Sequence, residues 1–272
     1  MLNAFMRTIR KYLAIYRIML RNSLIREMNF KLNFILWMIV EGLWFVGQLV
    51  FIEVIYSQVG AIGDWTKWQM VLLVGTHQIV SQIFQAFFYM NLTNLPELVR
   101  TGKLDFLLLQ PIDGQFTVSA RHFGLDSLVN ASVGFAIVGY SLYRLNVVPG
   151  AGQICLYLVC VGLGVAVHYA IMFGLATVSF WIIRAEGLIW AYYNLINLAR
   201  YPDAVFKGFV KFVFSWVVPV IVVSNVPARM LMHAFQAPWP LLLQLAAAAT
   251  LMLISTRVLW MFALRRYSSA SS

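Results

Sequence analysis

The chain has 272 residues, 61% hydrophobic and only 11% charged, with a mean hydropathy of +0.79. A soluble domain carries about 25% charged residues, so this composition excludes one. The net charge of +10 does not point to nucleic acid, because Arg7, Arg10, Lys11, Arg17, Arg21, Arg26 and Lys31 crowd the start and Arg265 and Arg266 follow the last apolar run, a placement that holds helix ends in the cytoplasm.

Several apolar runs reach the roughly 20 residues that a helix needs to cross the hydrocarbon. They are continuous rather than alternating, which argues against a β-barrel. The expected fold is all-α: one polytopic membrane domain over residues 1–272, with six transmembrane helices behind an N-terminal amphipathic interfacial helix. In residues 1–22, Leu2, Phe5, Met6, Ile9, Tyr12, Leu13, Tyr16 and Leu20 fall on one side at helical spacing, with Arg7, Arg10, Lys11, Arg17 and Arg21 opposite. Such a helix lies in the interface and turns its basic face to anionic lipid heads. The start lacks the short apolar core and small-residue site of a cleavable signal peptide.

The first span is expected over about 32–56 and contains Glu41 and Glu53. Glu41 lies about nine residues in, roughly 14 Å of rise. A carboxylate there is costly unless it faces the bundle interior, a partner or water. It reads either as a pathway group or as a hydrogen-bonded structural one. After a short loop with Trp65, the second span runs over about 68–90, and His77, Gln78, Ser81, Gln82 and Gln85 share one of its faces. That stripe either lines a path or makes interhelical hydrogen bonds worth about 1 kcal/mol or less each.

Asn91–Arg121 is the longest break between apolar runs. It carries both charge signs, two prolines and two glycines, yet also the apolar run Phe106–Leu109. An amphipathic segment on a membrane surface, or one that docks to a soluble partner, uses such a run. A third span follows over about 125–142, then a turn with Pro149 and Gly150, then a long fourth span over 153–183. In the fourth, Gly162, Ala166, Ala170 and Gly174 form a small-residue stripe that lets helices approach closely, and His168 reads as a satisfied interior histidine. Arg184, Ala185 and Glu186 make a cytoplasmic turn.

The next part allows two topologies. In one, residues 187–201 are a short fifth span and 207–227 a re-entrant element on the outer side. In the other, 187–201 lie on the inner surface and 207–227 are the fifth span, which places Arg200, Lys207 and Lys211 in the cytoplasm as the charge rule prefers. The last span is expected over 240–264, with Arg257 snorkelling to its cytoplasmic end.

No enzymatic constellation is visible. Gly102-Lys103 is followed by Leu104, and Glu97 stands where a phosphate-binding loop needs its first glycine. His77, His122, His168 and His233 are scattered, and Cys155 and Cys160 lie five apart in an apolar run, so neither a metal site nor an intrahelical disulfide is expected. The chain is expected to be no enzyme and to bind no cofactor itself.

The run Leu98-Val99-Arg100-Thr101-Gly102-Lys103-Leu104-Asp105-Phe106-Leu107-Leu108-Leu109-Gln110-Pro111 resembles the cytoplasmic loop of ABC type-2 transporter permeases, closest to a bacterial branch formerly of unknown function. The basic N-terminal helix, six spans, cytoplasmic termini, Tyr201-Pro202, Val218-Pro219 and Val226-Pro227 also match. The resemblance implies an exporter subunit of the bacterial inner membrane that pairs with a second permease, identical or related, and with a cytoplasmic ABC ATPase that carries ATP and Mg. It implies that residues 1–28 form a connecting helix and 91–124 a coupling loop, with Arg100, Gly102, Lys103, Leu104, Asp105, Phe106 and Pro111 as ATPase-coupling residues. Phe106 and Leu107 would fill a pocket on that partner. It also implies that 203–238 form an outer re-entrant region. Glu41, Gln78, Gln82 and Gln85 are the candidate translocation-path residues. Two rivals remain: an ion-gradient-driven transporter with Glu41 and the glutamine stripe at its site, and a membrane scaffold. Membrane lipid is an expected partner and nucleic acid is not.

Overall fold

The computed structural model describes residues 2–29, 31–182, 185–232 and 239–267. Arg184 and His233 lie outside the described residues, as do the ends of the expected 203–238 region, 233–238. The chain is 84% helical, and the fold is all-α. In order come α1 (Leu2–Asn29), α2 (Lys31–Gln58), a two-residue hairpin of β1 (Ala61–Ile62) and β2 (Trp65–Thr66), and α3 (Lys67–Phe84). A π-helical turn, Gln85–Tyr89, carries α3 into α4 (Met90–Thr93). Three short helices follow: α5 (Leu95–Arg100), α6 (Leu104–Leu108) and α7 (Gly114–Ser119). The rest is α8 (Leu125–Arg144), α9 (Ala151–Thr177), α10 (Glu186–Ile196), α11 (Gly208–Phe212), α12 (Val220–Met232) and α13 (Trp239–Arg266).

Among the described residues, five helical stretches are long and apolar enough to cross a bilayer: 34–58, 67–100, 125–144, 151–180 and 239–266. A bent pair, Gly208–Val217 and Val220–Met232, makes a sixth if it counts as one span. Residues 186–200 fall short of that length, at 15 residues or about 22 Å of rise.

α3 is the centre of the bundle, with α8, α9 and α12 packed around it and α2 along one side. Its residues from Met70 to Val80 are all buried. A helix enclosed this way is apolar on nearly every face, and the polar side chains it does carry must find partners inside. Glycine governs the α3–α8 crossing. A Cβ on Gly134 would stand 2.8 Å from Ile79 Cγ1 and 3.1 Å from the Gly75 carbonyl, so the backbones touch where the sequence has no side chain. The stripe expected on α9 is divided instead. Thr256 of α13 donates to the Ala170 carbonyl at 2.6 Å and would meet a Cβ on Gly174 at 3.2 Å, whereas Gly162 faces open space.

The α11–α12 pair bends by 84° at Pro219, where proline lacks the N–H that a continuous helix needs. Arg229 of α12 pairs with Asp203 at 2.6 Å and with Asp64 of the β-hairpin at 2.9 Å, and Lys211 pairs with Asp203 at 3.2 Å. Residues 203 and 229 therefore meet at the hairpin end of the bundle. The charge rule had grouped Lys211 with the opposite end, whereas its carboxylate partner is Asp203, which Arg229 ties to Asp64. Residues 186–200 carry the chain from the α9 end to this cluster.

The glycine crossing gives a matched pair of variants. Gly134→Ala should lower the thermal midpoint in detergent, by a destabilisation of about 1–3 kcal/mol from overpacking. Gly162→Ala, with nothing within 4 Å of the added carbon, should leave it unchanged or raise it. Equal midpoints for the two would show that the α3–α8 contact is looser than described.

Candidate coupling segment and polar cleft

The segment between α3 and α8 folds for local reasons. Pro96 occupies the first turn of α5, where its missing N–H costs nothing. Gly102 takes φ +68° between α5 and α6, a conformation that favours glycine. Asp113 caps α7, its carboxylate accepting from the Phe116 N–H at 3.1 Å. The apolar run splits by face: Leu104 and Leu107 are buried, while Phe106 is 72% and Leu109 80% exposed. Leu107, expected to fill a partner's pocket with Phe106, is instead part of this chain's own core. Arg100, Lys103 and Pro111 are exposed, Asp105 is half-buried and Gly102 is buried. Arg100 is held by Glu97, one turn earlier.

Polar contacts pin this segment to the bundle. Asn91 closes its base: the side chain donates to the Phe87 carbonyl at 3.0 Å and the His122 carbonyl at 2.8 Å, and accepts from the His122 N–H at 2.7 Å. α1 lies along it. The Ser23 hydroxyl donates to the Phe123 carbonyl at 3.0 Å and accepts from its N–H at 2.8 Å, Lys11 donates to the Pro111 carbonyl at 2.7 Å, and the Asp113 N–H donates to the Tyr12 hydroxyl at 3.0 Å. Tyr12 packs edge-on against Phe116 with centroids 4.9 Å apart. The basic side chains Arg7, Arg10, Lys11, Arg17 and Arg21 are exposed, and so is Leu13, which the helical spacing grouped with the apolar face. The side chains of Leu2, Phe5 and Ile9 lie outside those described.

The last helix joins in. Arg257 of α13 forks onto Asp113, Nη2 to Oδ2 at 2.6 Å and Nη1 to Oδ1 at 3.2 Å, and also donates to Gln115 Oε1 at 2.9 Å. Gln115 donates to the Tyr169 hydroxyl of α9 at 3.0 Å, which meets Ser119 Oγ at 2.9 Å. Arg257 thus reaches a carboxylate rather than only water. Burial alone would raise the Asp113 carboxyl, but the hydrogen bond and charge of Arg257, together with the Phe116 and Gln115 N–H groups, outweigh it and hold the carboxyl below its ordinary value.

The four path candidates come together. Glu41, Gln78, Gln82 and Gln85 line one small cleft between α2, α3 and α10, closed by Trp44 and Tyr193. Gln82 donates to Glu41 Oε2 at 3.2 Å, while its own Oε1 is buried without a partner. His77, on the same stripe, meets Ser224 at 3.3 Å and Ser81 at 3.4 Å. The stripe therefore both lines a cleft and bonds between helices. His168 meets the Tyr192 hydroxyl at 2.9 Å, and its Nε2 has no partner. Among the described residues, no group of His, Cys, Asp or Glu is placed to hold a metal ion.

Sequence reasoning missed Asn91, Asp113 and Tyr169. Two signals were present: Asp113-Gly114 is a helix-start pattern, and an arginine inside an apolar helix calls for a named partner.

The Asp113–Arg257 pair has a pH signature. A carboxyl held low in the folded protein adds stability above its unfolded value, about 4, and that contribution is lost as pH falls through the folded value. Asp113→Asn should lower the thermal midpoint at pH 6, by about 1 kcal/mol for a partly exposed pair. The gap from wild type should close well below pH 4. A gap that persists at the lowest pH the fold survives would assign the loss to something other than this charge.

The profile described as "ABC-2 family transporter protein" matches residues 43–271, which takes in every helix from α3 onward and most of α2. No curated protein matches the chain. A family match over that much of the chain, with apolar helices enough for several crossings, makes this a multi-pass membrane protein that belongs to the ABC-2 transporter family, the permease subunits of ABC transporters.

Proposed function

We propose that the chain is the membrane subunit of an ATP-driven exporter, coupled through residues 91–124 to a separate ABC ATPase that holds ATP and Mg. Two such subunits, identical or related, form the translocation path between them. In this orientation the 91–124 segment and both termini face the cytoplasm of a bacterial cell, α1 is the connecting helix on the inner-membrane surface, and residues 203–238 form an outer re-entrant region. The chain itself catalyses nothing. The Glu41–Gln85 cleft lies on the path.

One observation carries the coupling assignment. Phe106 and Leu109 stand outward on a segment whose two ends are clamped together by Asn91. A large apolar side chain on a polar-flanked, rigid projection marks an interaction surface, and flanking Arg100 and Lys103 supply charge for the rim. A push on this projection reaches α3 and α8 through the chain, α1 through Ser23 and Tyr12, and α13 through Asp113. An ion-driven transporter would use the same cleft but has no use for the projection, and a scaffold has no use for the cleft.

The test is co-purification in mild detergent with mass spectrometry of what accompanies the chain. An ATPase at one copy per permease is expected. Phe106→Ala with Leu109→Ala should weaken its retention by about tenfold or more, the scale of an interface hot spot, with membrane insertion intact. Leu107→Ala should lower the thermal midpoint instead, since that side chain is in the core. Undiminished ATPase retention by the Phe106/Leu109 double variant would defeat the coupling assignment. Recovery of the chain alone, under conditions that keep other ABC complexes intact, would favour the ion-driven or scaffold alternatives.

A further inference from the structure

A second concavity lies beside the cleft. A groove of about 480 Å³ runs between α2, the α3 face at Met70 and Val74, and residues 200–205. That volume falls in the range of small-molecule sites. Its walls are apolar, with Leu43, Phe51, Ile52 and Val205 among them, and it opens sideways along α2. Arg200 is its one cation. With its amide turned so that the oxygen faces them, Gln48 accepts from Arg200 Nη1 at 3.1 Å and from Trp44 Nε1 at 3.0 Å and fixes the guanidinium from the α2 side. The Tyr201 ring lies 5.5 Å away. No carboxylate among the described residues pairs with Arg200. The nearby Glu41, across Trp44 and Gln48, is engaged by Gln82.

Gln48 lies ten residues from the Gln58 end of α2, about 15 Å of rise, so Arg200 meets the apolar stretch of that helix rather than its end. A guanidinium at that depth is costly without a counter-charge, and Gln48 occupies one of its five N–H donors. The rest of the lining is apolar or aromatic and carries no carboxylate, and the Tyr56 hydroxyl is already given to the Trp65 carbonyl. A ligand that satisfies both parts has a negatively charged head and an apolar chain.

We propose that this groove binds an anionic lipid of the surrounding bilayer, with its phosphate on Arg200 and one acyl chain along α2. The binding stands apart from the transport reading. Only the further step, that such a lipid is cargo, would rest on it.

The experiment needs no ATPase. The purified chain is placed in nanodiscs of phosphatidylcholine carrying a small fraction of a photoactivatable lipid, either phosphatidic acid or phosphatidylcholine with the same diazirine tail. Adducts are mapped by peptide mass spectrometry. The phosphatidic acid probe should label 43–56 and 200–205 about tenfold or more above the phosphatidylcholine probe, the scale of a charge-assisted hydrogen bond. Arg200→Gln should abolish that preference and Arg200→Lys should retain part of it. Gly47 lines the groove, and a Cβ there meets nothing within 4 Å, so Gly47→Leu should fold and reduce labelling by both probes. Equal labelling by the two probes overturns the proposal, as does a preference that survives in Arg200→Gln. Adducts elsewhere on the bundle, or no adducts because a second copy covers the groove, also overturn it. If Arg200→Gln does not fold, Gly47→Leu decides: undiminished labelling at the groove sinks the idea.

Discussion

The fork of Arg257 onto Asp113 joins two parts of the chain that 144 residues separate. It is the contact through which the last helix and the segment after α3 become one body. Each partner needs the other. An arginine in an apolar helix must find an acceptor, and a helix-capping aspartate beside the bundle must offset its loss of water. Gln115 and Tyr169 extend the same bonding to α9. The charge-assisted, two-pronged geometry fixes direction as well as distance, so the exposed Phe106 and Leu109 are presented from a rigid base.

The opposite end of the bundle is held by the same physics in a different layout. Arg229 gathers Asp64 and Asp203, and Lys211 adds a second cation to Asp203. Asn225 supports the cluster from below, accepting from the Asp203 N–H at 2.9 Å and donating to the Tyr201 and Ile221 carbonyls. The Tyr201 carbonyl and the Asp203 N–H, which lie at the break between two short helical turns, are thereby met by a side chain. Between the two clamped ends, the polar groups of α3 are only partly satisfied. Gln82 keeps one buried acceptor without a partner beside Glu41, and the π-helical turn begins at Gln85, at the edge of that cleft.

The amino-acid sequence by itself determined the class, the helices and the candidate residues. Runs of about 20 apolar residues have few options in a bilayer, so the first, third, fourth and last spans could be placed to within a few residues, whereas the second runs on to Arg100 and the fifth stayed open between two stretches. The polar stripe of α3 and the intramembrane Glu41 were legible as one-dimensional anomalies, because a costly residue in hydrocarbon announces itself. The break at 91–121 was legible for the converse reason. Only the tertiary structure decided which face of that break looks out, since a helical run of four apolar residues has two sides and nothing local says which is buried. It decided that Leu107 is core and Phe106 is surface, that Gly134 meets α3 closely while Gly162 of the expected α9 stripe faces open space, and that Lys211 sits with Asp203. It also brought Arg257 to Asp113 and Arg200 to Gln48. Side chains that lie 144 and 152 residues apart meet only after the bundle has chosen its neighbours, and that choice depends on packing between helices, which periodicity within one helix does not encode.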